Sequence, residues 1–204
     1  MTAQVIHYFD YKSPYAYLAQ AATYAMETDF GLKVARVPYT LDIPSFLGTA
    51  ELNANGEDIL GTRSAHHWRR VRYSYMDCRR EANRRGLTIR GPQKIWESSL
   101  AHLGFLYAEA NGDFRPYHDT VYERFWKREL DIESPDVITS VLVESGIAAR
   151  GFNEFARGAG RQALVQAHAA AEASGVFGVP SWRVDGELYW GSERLDLIRE
   201  KLSR

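Results

Sequence analysis

The sequence contains very little cysteine: one residue, Cys78, among 204. A single thiol excludes an intramolecular disulfide, a Cys-x-x-Cys redox pair and a multi-cysteine zinc site within the chain. Long apolar runs are also missing, since no stretch approaches the ~18 consecutive apolar residues of a membrane span. The N-terminal residues lack the basic and apolar pattern of a signal peptide. These absences predict a cytoplasmic protein without a membrane partner.

Charge of one sign is not in excess either. Lys and Arg number 25 against 26 Asp and Glu, a formal net charge of −1, so no overall field attracts nucleic acid or an anionic membrane. Hydrophobic residues make up 45% and aromatic residues 13% of the chain, which is typical of a folded protein. The length predicts one domain with room for a large insertion.

The N-terminal part of the chain predicts a β-α-β unit. Residues 4–9 are β-branched and aromatic, and residues 32–37 form a second strand candidate. Between them, Ser13-Pro14 is a favourable helix start, because serine is a preferred N-cap and proline suits the first helical position. A right-handed crossover makes the two strands parallel.

The rest of the chain is predicted to be mostly helical until its end. Residues 39–62 contain scattered Pro, Gly and Asn without a period, so we expect a long loop. Helical patterns then run from Arg63 to about Asn153 and over 159–173. Asp185-Gly186 between two short β-prone runs predicts a hairpin, and a last helix is expected over 192–202.

Several motifs resemble one protein family. The run Phe9–Ala16 is similar to the active-site turn of DsbA-type oxidoreductases, with serine and alanine in place of the two cysteines. Segments 10–19, 73–87 and 175–197 resemble 2-hydroxychromene-2-carboxylate isomerases and the related kappa-class glutathione transferases more closely. The resemblance spans nearly the whole chain and is weakest in 39–62, which helps to line the substrate pocket in that family.

This layout and the resemblance imply an α/β, thioredoxin-like fold, β-α-β followed by β-β-α, with a large all-helical insertion of the DsbA type. The expected domains are a thioredoxin-like domain made of residues 1–62 and 174–204, and a helical insertion domain of residues 63–173.

Ser13 is the candidate catalytic residue. A serine at a helix N-terminus has unpaired backbone N–H groups and the positive end of the helix dipole beside it, so an anion bound there is stabilised. In the resembled family this anion is the thiolate of bound glutathione, which accepts a hydrogen bond from the serine hydroxyl. The alternative is that Ser13 is only a helix cap.

Val179 and Pro180 are the second candidate element for binding glutathione. The resemblance implies a cis peptide bond between them, and a main-chain pairing of Val179 with the cysteinyl part of glutathione. The alternative is a trans, purely structural proline, which is the usual state of an X–Pro bond.

Two further elements are carried over from the family as glutathione ligands. Ser192 and Glu193 match a segment that recognises the γ-glutamyl end, although Glu193 stands where the family commonly has Asp. Their alternative role is a cap and a first-turn acid of the last helix. Asn53 matches a family asparagine in the divergent loop.

The segment from Arg63 to Arg90 holds nine arginines against Asp77 and Glu81. Basic helices with interleaved aromatic residues can bind nucleic acid, hold an anionic substrate or glutathione carboxylates, or form a solvated helix face; the last is favoured. His66 and His67 are adjacent and lie about 100° apart on a helix, which is a poor arrangement for shared metal ligation. We predict no metal site and no nucleic-acid partner.

The resemblance implies a glutathione-dependent isomerase that acts on a small, conjugated aromatic-derived carboxylate in aromatic catabolism, and a homodimer, since that family is often dimeric. Two alternatives are a kappa-like glutathione transferase and a non-catalytic thioredoxin-like binding module. Cys78 lies on an apolar helical stripe, so we expect it to be buried and chemically inert.

Overall fold

The structure is a computed structural model, which describes residues 3–204. This range contains a four-stranded sheet in the strand order β2-β1-β3-β4. The strands are β1 (Val5–Phe9), β2 (Val34–Pro38), β3 (Ser181–Val184) and β4 (Glu187–Trp190).

Strand β1 is central and joins the two ends of the chain. It pairs in parallel with β2, where Val5 lies opposite Val34, and antiparallel with β3, where Val5 lies opposite Val184. Strands β3 and β4 form a hairpin through Asp185 and Gly186, both of which have positive φ angles. The predicted parallel pair and the predicted hairpin are therefore confirmed.

Helices account for most of the remaining residues within 3–204. The α-helices are α1 (Pro14–Phe30), α2 (Ile43–Leu47), α3 (Ala65–Arg84), α4 (Ser99–Asn111), α5 (Arg115–Trp126), α6 (Pro135–Glu144), α7 (Phe152–Arg157), α8 (Ala159–Ala173) and α9 (Leu195–Leu202). Short 3₁₀ helices span Ala149–Gly151 and Ser192–Arg194. None of the helices within residues 3–204 is long and apolar enough to cross a membrane.

The chain divides into two compact units. The sheet unit consists of the chain up to Leu41 and of Gly158–Arg204, and the helical unit is Asp42–Arg157. These boundaries differ from the expected ones, 62/63 and 173/174, because residues 42–62 belong to the helical unit and helix α8 belongs to the sheet unit. The expected domains, residues 1–62 with 174–204 and residues 63–173, stay a prediction.

The core of the sheet unit lies on one face of the sheet. Because paired residues of neighbouring strands point to the same side, Val5, Val34 and Val184 form one apolar row. This row packs with Met26 of α1 and Ile198 of α9. Helices α1 and α9 are therefore held against that face by hydrophobic burial.

The helical unit is closely packed around helices α4 and α5. A Cβ atom on Gly104 would lie 2.6 Å from the ring carbon that carries the hydroxyl of Tyr117, so only glycine allows this approach. The Tyr117 hydroxyl donates a hydrogen bond to the Ala101 carbonyl at 2.9 Å. Cys78 of α3 is fully buried, as predicted.

The prediction of a long loop over 39–62 is wrong in part. Helix α2 forms there because the Asp42 side chain caps it, accepting the Ser45 N–H at 3.3 Å, and because Pro44 suits a first turn. A helix of five residues is too short to show a period.

Candidate active site

Strand β1 ends in a tight turn, Asp10–Ser13, that leads directly into α1. The Asp10 carbonyl oxygen accepts a hydrogen bond from the Ser13 N–H at 3.0 Å. The Asp10 carboxylate accepts two more backbone N–H groups, that of Lys12 at 3.1 Å and that of Leu41 at 2.8 Å. Asp10 therefore fixes the shape of the turn and ties it to the chain that leaves β2.

Ser13 lies at the N-terminus of α1, as predicted. Its φ and ψ angles of −93° and 112° are those of an N-cap, and its Oγ accepts the Ala16 N–H at 3.2 Å. Ser13 is 4% exposed, so the hydroxyl and the positive end of the α1 dipole act in a partly desolvated place where electrostatic interactions are strengthened. The capping role of Ser13 is confirmed.

The Val179–Pro180 peptide bond is cis, as expected. The Ser13 Oγ donates a hydrogen bond to the Val179 carbonyl at 3.4 Å, which joins residues 166 positions apart. The Ser181 Oγ donates to the Gly178 carbonyl at 2.7 Å and closes the loop. Within residues 3–204, the Val179 N–H donates no hydrogen bond. The Ser13 hydroxyl thus lies next to Val179, whose main-chain N–H is available as a donor.

Ser192 and Glu193 follow strand β4 in a 3₁₀ helix. This segment is tied to the cis bond, because the Gly191 N–H donates to the Pro180 carbonyl at 2.9 Å. Gly191 has φ 96°, and a Cβ there would lie 2.6 Å from a Glu193 carboxylate oxygen. Ser192 makes no side-chain capping bond, whereas Glu193 is a first-turn acid. The hydrogen bond of the preceding residue, Gly191, therefore keeps both residues near the Val179–Pro180 loop.

Asn53 belongs to the helical unit, in an exposed loop. Its Oδ1 accepts the N–H groups of Asn55 at 2.9 Å and of Glu57 at 3.0 Å, and its Nδ2 donates to the Glu57 carboxylate at 2.9 Å. The amide thus stabilises its own loop. Its role in binding glutathione stays a prediction.

The arginine-rich segment presents most of its guanidinium groups to solvent. Arg84 and Arg85 pair with Glu81 on the surface of α3, and Arg80 pairs with Asp77. This arrangement agrees with a solvated helix face, and the anion-binding alternatives stay predictions. Among residues 3–204, no group of three or more His, Cys, Asp or Glu side chains is arranged to hold a metal ion.

Sequence reasoning missed the buried charges near Ser13. The Lys12 side chain is 5% exposed, and its Nζ lies 3.8 Å from the fully buried Asp10 carboxylate. Lysine and aspartate in a turn normally indicate solvent exposure, so no local signal predicts this burial.

A stacked ring pair lies at the end of β2, beside the same turn. The Tyr39 ring stacks on the His168 ring with centroids 4.4 Å apart, and the His168 Nε2 is 3.1 Å from the Thr40 carbonyl oxygen. Burial and the nearby Glu172 carboxylate raise the pKa of Tyr39. The pair connects α8 to the residue that follows β2, and Tyr39 lies two residues before Leu41, whose N–H donates to Asp10.

The sheet interior also holds ionisable groups. Arg36 of β2 forms a two-point ion pair with Glu27 of α1, with N–O distances of 3.0 and 2.9 Å. His7 lies opposite Arg36 in the sheet and stacks on Trp182. Burial, with a smaller contribution from the Arg36 charge, lowers the pKa of His7 to about 3. His7 is therefore neutral at physiological pH.

Known proteins resemble this chain over nearly its whole length. The chain is 26% identical over 203 residues to a 2-hydroxychromene-2-carboxylate isomerase from Sphingobium xenophagum, covering 99% of each protein. It is 26% identical to the enzyme of the same name from Pseudomonas putida, covering 97% of this chain and 93% of that protein. The resemblance to these isomerases is thereby confirmed.

Solved structures support the fold. A 2-hydroxychromene-2-carboxylate isomerase structure matches with a TM-score of 0.74 at 22% identity, over 98% of this chain and 94% of that one. The cytosolic disulfide reductase DsbM from Pseudomonas aeruginosa, solved with GSH, matches with a TM-score of 0.63 at 15% identity, over 98% and 100%. The predicted thioredoxin-like fold with a DsbA-type helical insertion is confirmed.

A family model described as a DSBA-like thioredoxin domain matches residues 4–203. The chain therefore belongs to the family of DSBA-like thioredoxin domains.

Proposed function

We propose that this protein is a glutathione-dependent isomerase of conjugated aromatic-derived carboxylates. One observation carries the proposal: the Ser13 hydroxyl, at the N-terminus of α1, lies 3.4 Å from the carbonyl of Val179 beside a cis proline. The curated relatives named as isomerases favour this reaction class, and the DsbM structure with GSH favours this tripeptide as the cofactor.

The residues near Ser13 fit the chemistry of glutathione. Strand-like pairing of its cysteinyl residue needs main-chain donors and acceptors, which the Val179 N–H and carbonyl supply. The γ-glutamyl end carries an ammonium group, for which the exposed Glu193 carboxylate is a suitable partner. The Gly191–Pro180 hydrogen bond keeps Glu193 close to that loop.

Bound glutathione would supply a thiolate that adds reversibly to the conjugated chain of the substrate, so that a bond rotates or a ring opens before the same thiolate leaves. Ser13 would donate its hydroxyl hydrogen bond to the sulfur in place of the Val179 carbonyl. The N–H groups and the dipole of α1 would stabilise the negative charge. No residue of the chain forms a covalent bond in this scheme, which agrees with the burial of Cys78.

A disulfide oxidoreductase is incompatible with the residues of the site. Ser13 and Ala16 stand at the dithiol positions, and the one cysteine, Cys78, is fully buried in the helical unit. The kappa-like transferase and the non-catalytic module remain the alternatives, and both differ from the isomerase in what happens to glutathione.

The test uses the wild-type protein, Ser13→Ala and the control Ser134→Ala, assayed for conversion of a chromene carboxylate with glutathione. One charge-assisted hydrogen bond contributes roughly 1.5–3 kcal/mol, so Ser13→Ala should lower the rate about 10- to 150-fold. Ser13→Cys should retain part of the activity. Ser134 starts α6 with the same Ser-Pro sequence, and its variant should keep the wild-type rate.

Three outcomes contradict the proposal. Consumption of glutathione with a stable thioether product would identify a transferase. No binding heat with millimolar glutathione in calorimetry would identify a non-catalytic module. A wild-type rate in Ser13→Ala would show that Ser13 is a helix cap only.

The resemblance also supports a homodimer located in the cytoplasm. Sedimentation at micromolar concentration tests the assembly, and a mass of one chain would contradict it.

A further inference from the structure

The turn beside Ser13 contains two buried opposite charges. The Asp10 carboxylate is fully buried, the Lys12 side chain is 5% exposed, and their charged atoms are 3.8 Å apart. Asp10 accepts the N–H groups of Lys12 and Leu41 and, through its carbonyl oxygen, that of Ser13. Asp10 is thus a structural part of the turn, and its charge cannot move away from Ser13.

A fixed carboxylate is unfavourable for anion binding next to it. Like charges repel each other over several ångströms at a buried site, because the effective dielectric constant there is far below that of water. An anion at Ser13 and the Asp10 carboxylate belong to one four-residue turn, so they raise each other's electrostatic energy. A cation in the same turn removes this conflict, and Lys12 is that cation.

The other charged and titratable groups near the turn belong to neighbouring elements. Tyr39 directly follows β2, while His168 and Glu172 lie on α8. The Arg36–Glu27 pair and the neutral His7 lie further back along β2 and β1. None of these groups is altered when Lys12 or Asp10 is replaced. Their contributions to the pKa of a thiol bound at Ser13 therefore cancel when variants are compared.

We propose that Lys12 is a positioning residue that balances the charge of Asp10, so that a thiolate can be held at Ser13. This inference rests on the proposed function, because the anion is the sulfur of bound glutathione. Lys12 touches neither substrate nor sulfur in this role. Asp10 holds the turn in shape, and Lys12 makes that shape compatible with an anion.

The test measures the pKa of the glutathione thiol bound to the protein. The ultraviolet absorbance of the thiolate is titrated with pH, against a blank in which S-methylglutathione is bound. The blank cancels the titration of tyrosine and of Cys78. The proteins compared are wild type, Lys12→Met, Asp10→Asn, the double variant, and Lys33→Met, which removes an exposed lysine of the same unit.

The expected shifts have opposite signs. An opposite charge within a few ångströms lowers a pKa by about 1–3, so Lys12→Met should raise the pKa of the bound thiol by about 1 or more. Asp10→Asn should lower it, and the double variant should return it close to the wild-type value. Lys12→Arg keeps the positive charge, so its thiol pKa should lie close to the wild-type value. Lys33→Met should leave the thiol pKa unchanged.

A merely structural role gives a different pattern. Both single variants would then lower the melting temperature and leave the thiol pKa unchanged, or shift it in one direction, and this result would overturn the inference. The double variant keeps the test usable if Lys12→Met does not fold, because it leaves no unpaired buried charge. In that case Asp10→Asn must still lower the thiol pKa relative to the double variant.

Failure of the proposed function is seen separately. If wild type binds no glutathione in calorimetry, the proposed function fails before any variant is compared. If glutathione binds and Lys12→Met has the wild-type thiol pKa, the charge-balance inference fails and the isomerase proposal stands.

Discussion

The sheet unit and the helical unit bury different kinds of side chain. Among the described residues, eight buried polar or charged residues lie in the sheet unit: His7, Asp10, Lys12, Ser13, Gln20, Thr23, Arg36 and Ser181. Three lie in the helical unit: Ser98, His102 and His118. The fully buried or nearly fully buried charges, Asp10, Lys12 and Arg36, are confined to the sheet unit.

This difference shows how stability and chemistry are divided between the two units. A buried charge is costly unless it is paired, so the sheet unit depends on a few specific partners. The helical unit depends instead on close fit, as at Gly104 and Tyr117. Substitutions should therefore act in the sheet unit mainly through electrostatics and in the helical unit mainly through volume.

The largest expected effect comes from breaking the buried ion pair of the sheet unit. Glu27→Gln leaves the Arg36 guanidinium, 2% exposed, without its charge partner. Loss of one member of a buried pair typically costs about 3–5 kcal/mol of unfolding free energy, which denaturant unfolding measures.

The matched control is Glu81→Gln in the helical unit. Glu81 pairs with Arg84 and Arg85 on the surface of α3, and surface pairs contribute little. We expect no measurable change in its unfolding midpoint. Equal losses for the two variants would contradict the division between the units.

The second prediction concerns pH. The pKa of His7 is about 3 in the folded protein and about 6.5 in an unfolded chain. Below pH 6.5 the unfolded chain takes up a proton that the folded protein does not accept, so the free energy of unfolding decreases as the pH falls from 6.5 towards 3. The loss from this group is about 3 kcal/mol at pH 4.

His7→Phe isolates this effect, because a phenyl ring can stack on Trp182 and does not titrate. Unfolding curves between pH 7 and 4 should be flatter for the variant than for wild type. Parallel curves would show that His7 does not determine the acid sensitivity.

The third prediction tests close fit in the helical unit. Gly104→Ala places a methyl group against the Tyr117 hydroxyl and 2.9 Å from an Ile138 methyl carbon. Overpacking of this kind should lower the unfolding free energy by about 2 kcal/mol, although alanine is the better helix former. Combining it with Tyr117→Phe, which removes the hydroxyl oxygen, should cost less than the sum of the two single changes. Additive losses would contradict a direct clash.

The smallest expected effect compares the two Ser-Pro helix starts. Ser13 and Ser134 have similar φ and ψ angles and accept N–H groups three residues ahead. Replacement of either by alanine should lower the unfolding free energy by about 1 kcal/mol. A loss of glutathione binding heat is expected in Ser13→Ala alone. If both variants lost the binding heat, the loss would reflect reduced stability of the protein and not a direct contact between Ser13 and glutathione.

Local signals predicted much of the fold and the framework of the site. The Ser13-Pro14 helix start and the Asp185-Gly186 turn depend on residues adjacent in sequence, so their conformations are largely determined locally. The cis bond was expected from the family resemblance and from Gly178-Val179-Pro180 standing before a strand.

The burial of charge could not be predicted in this way. Lys12 and Arg36 have their partners in Asp10 and Glu27, and both pairs are buried. Charged residues in a sequence normally indicate exposure, so the local pattern does not predict this burial. Similarly, the Gly104 contact depends on the crossing of α4 and α5, and a single glycine in a helical pattern does not indicate it. Sequence reasoning identified the hydroxyl of the site and missed its electrostatic surroundings.

The sheet order also has a consequence for synthesis on the ribosome. The central strand β1 ends at Phe9, whereas its antiparallel neighbour β3 begins only at Ser181. At about 5–20 residues per second, one edge of the Val5–Phe9 strand waits on the order of ten seconds for its partner. The helical unit emerges complete during that interval. The nascent chain therefore keeps one edge of β1 unpaired until Ser181 has been translated, and the contact between Ser13 and Val179 in the candidate active site forms late relative to β1.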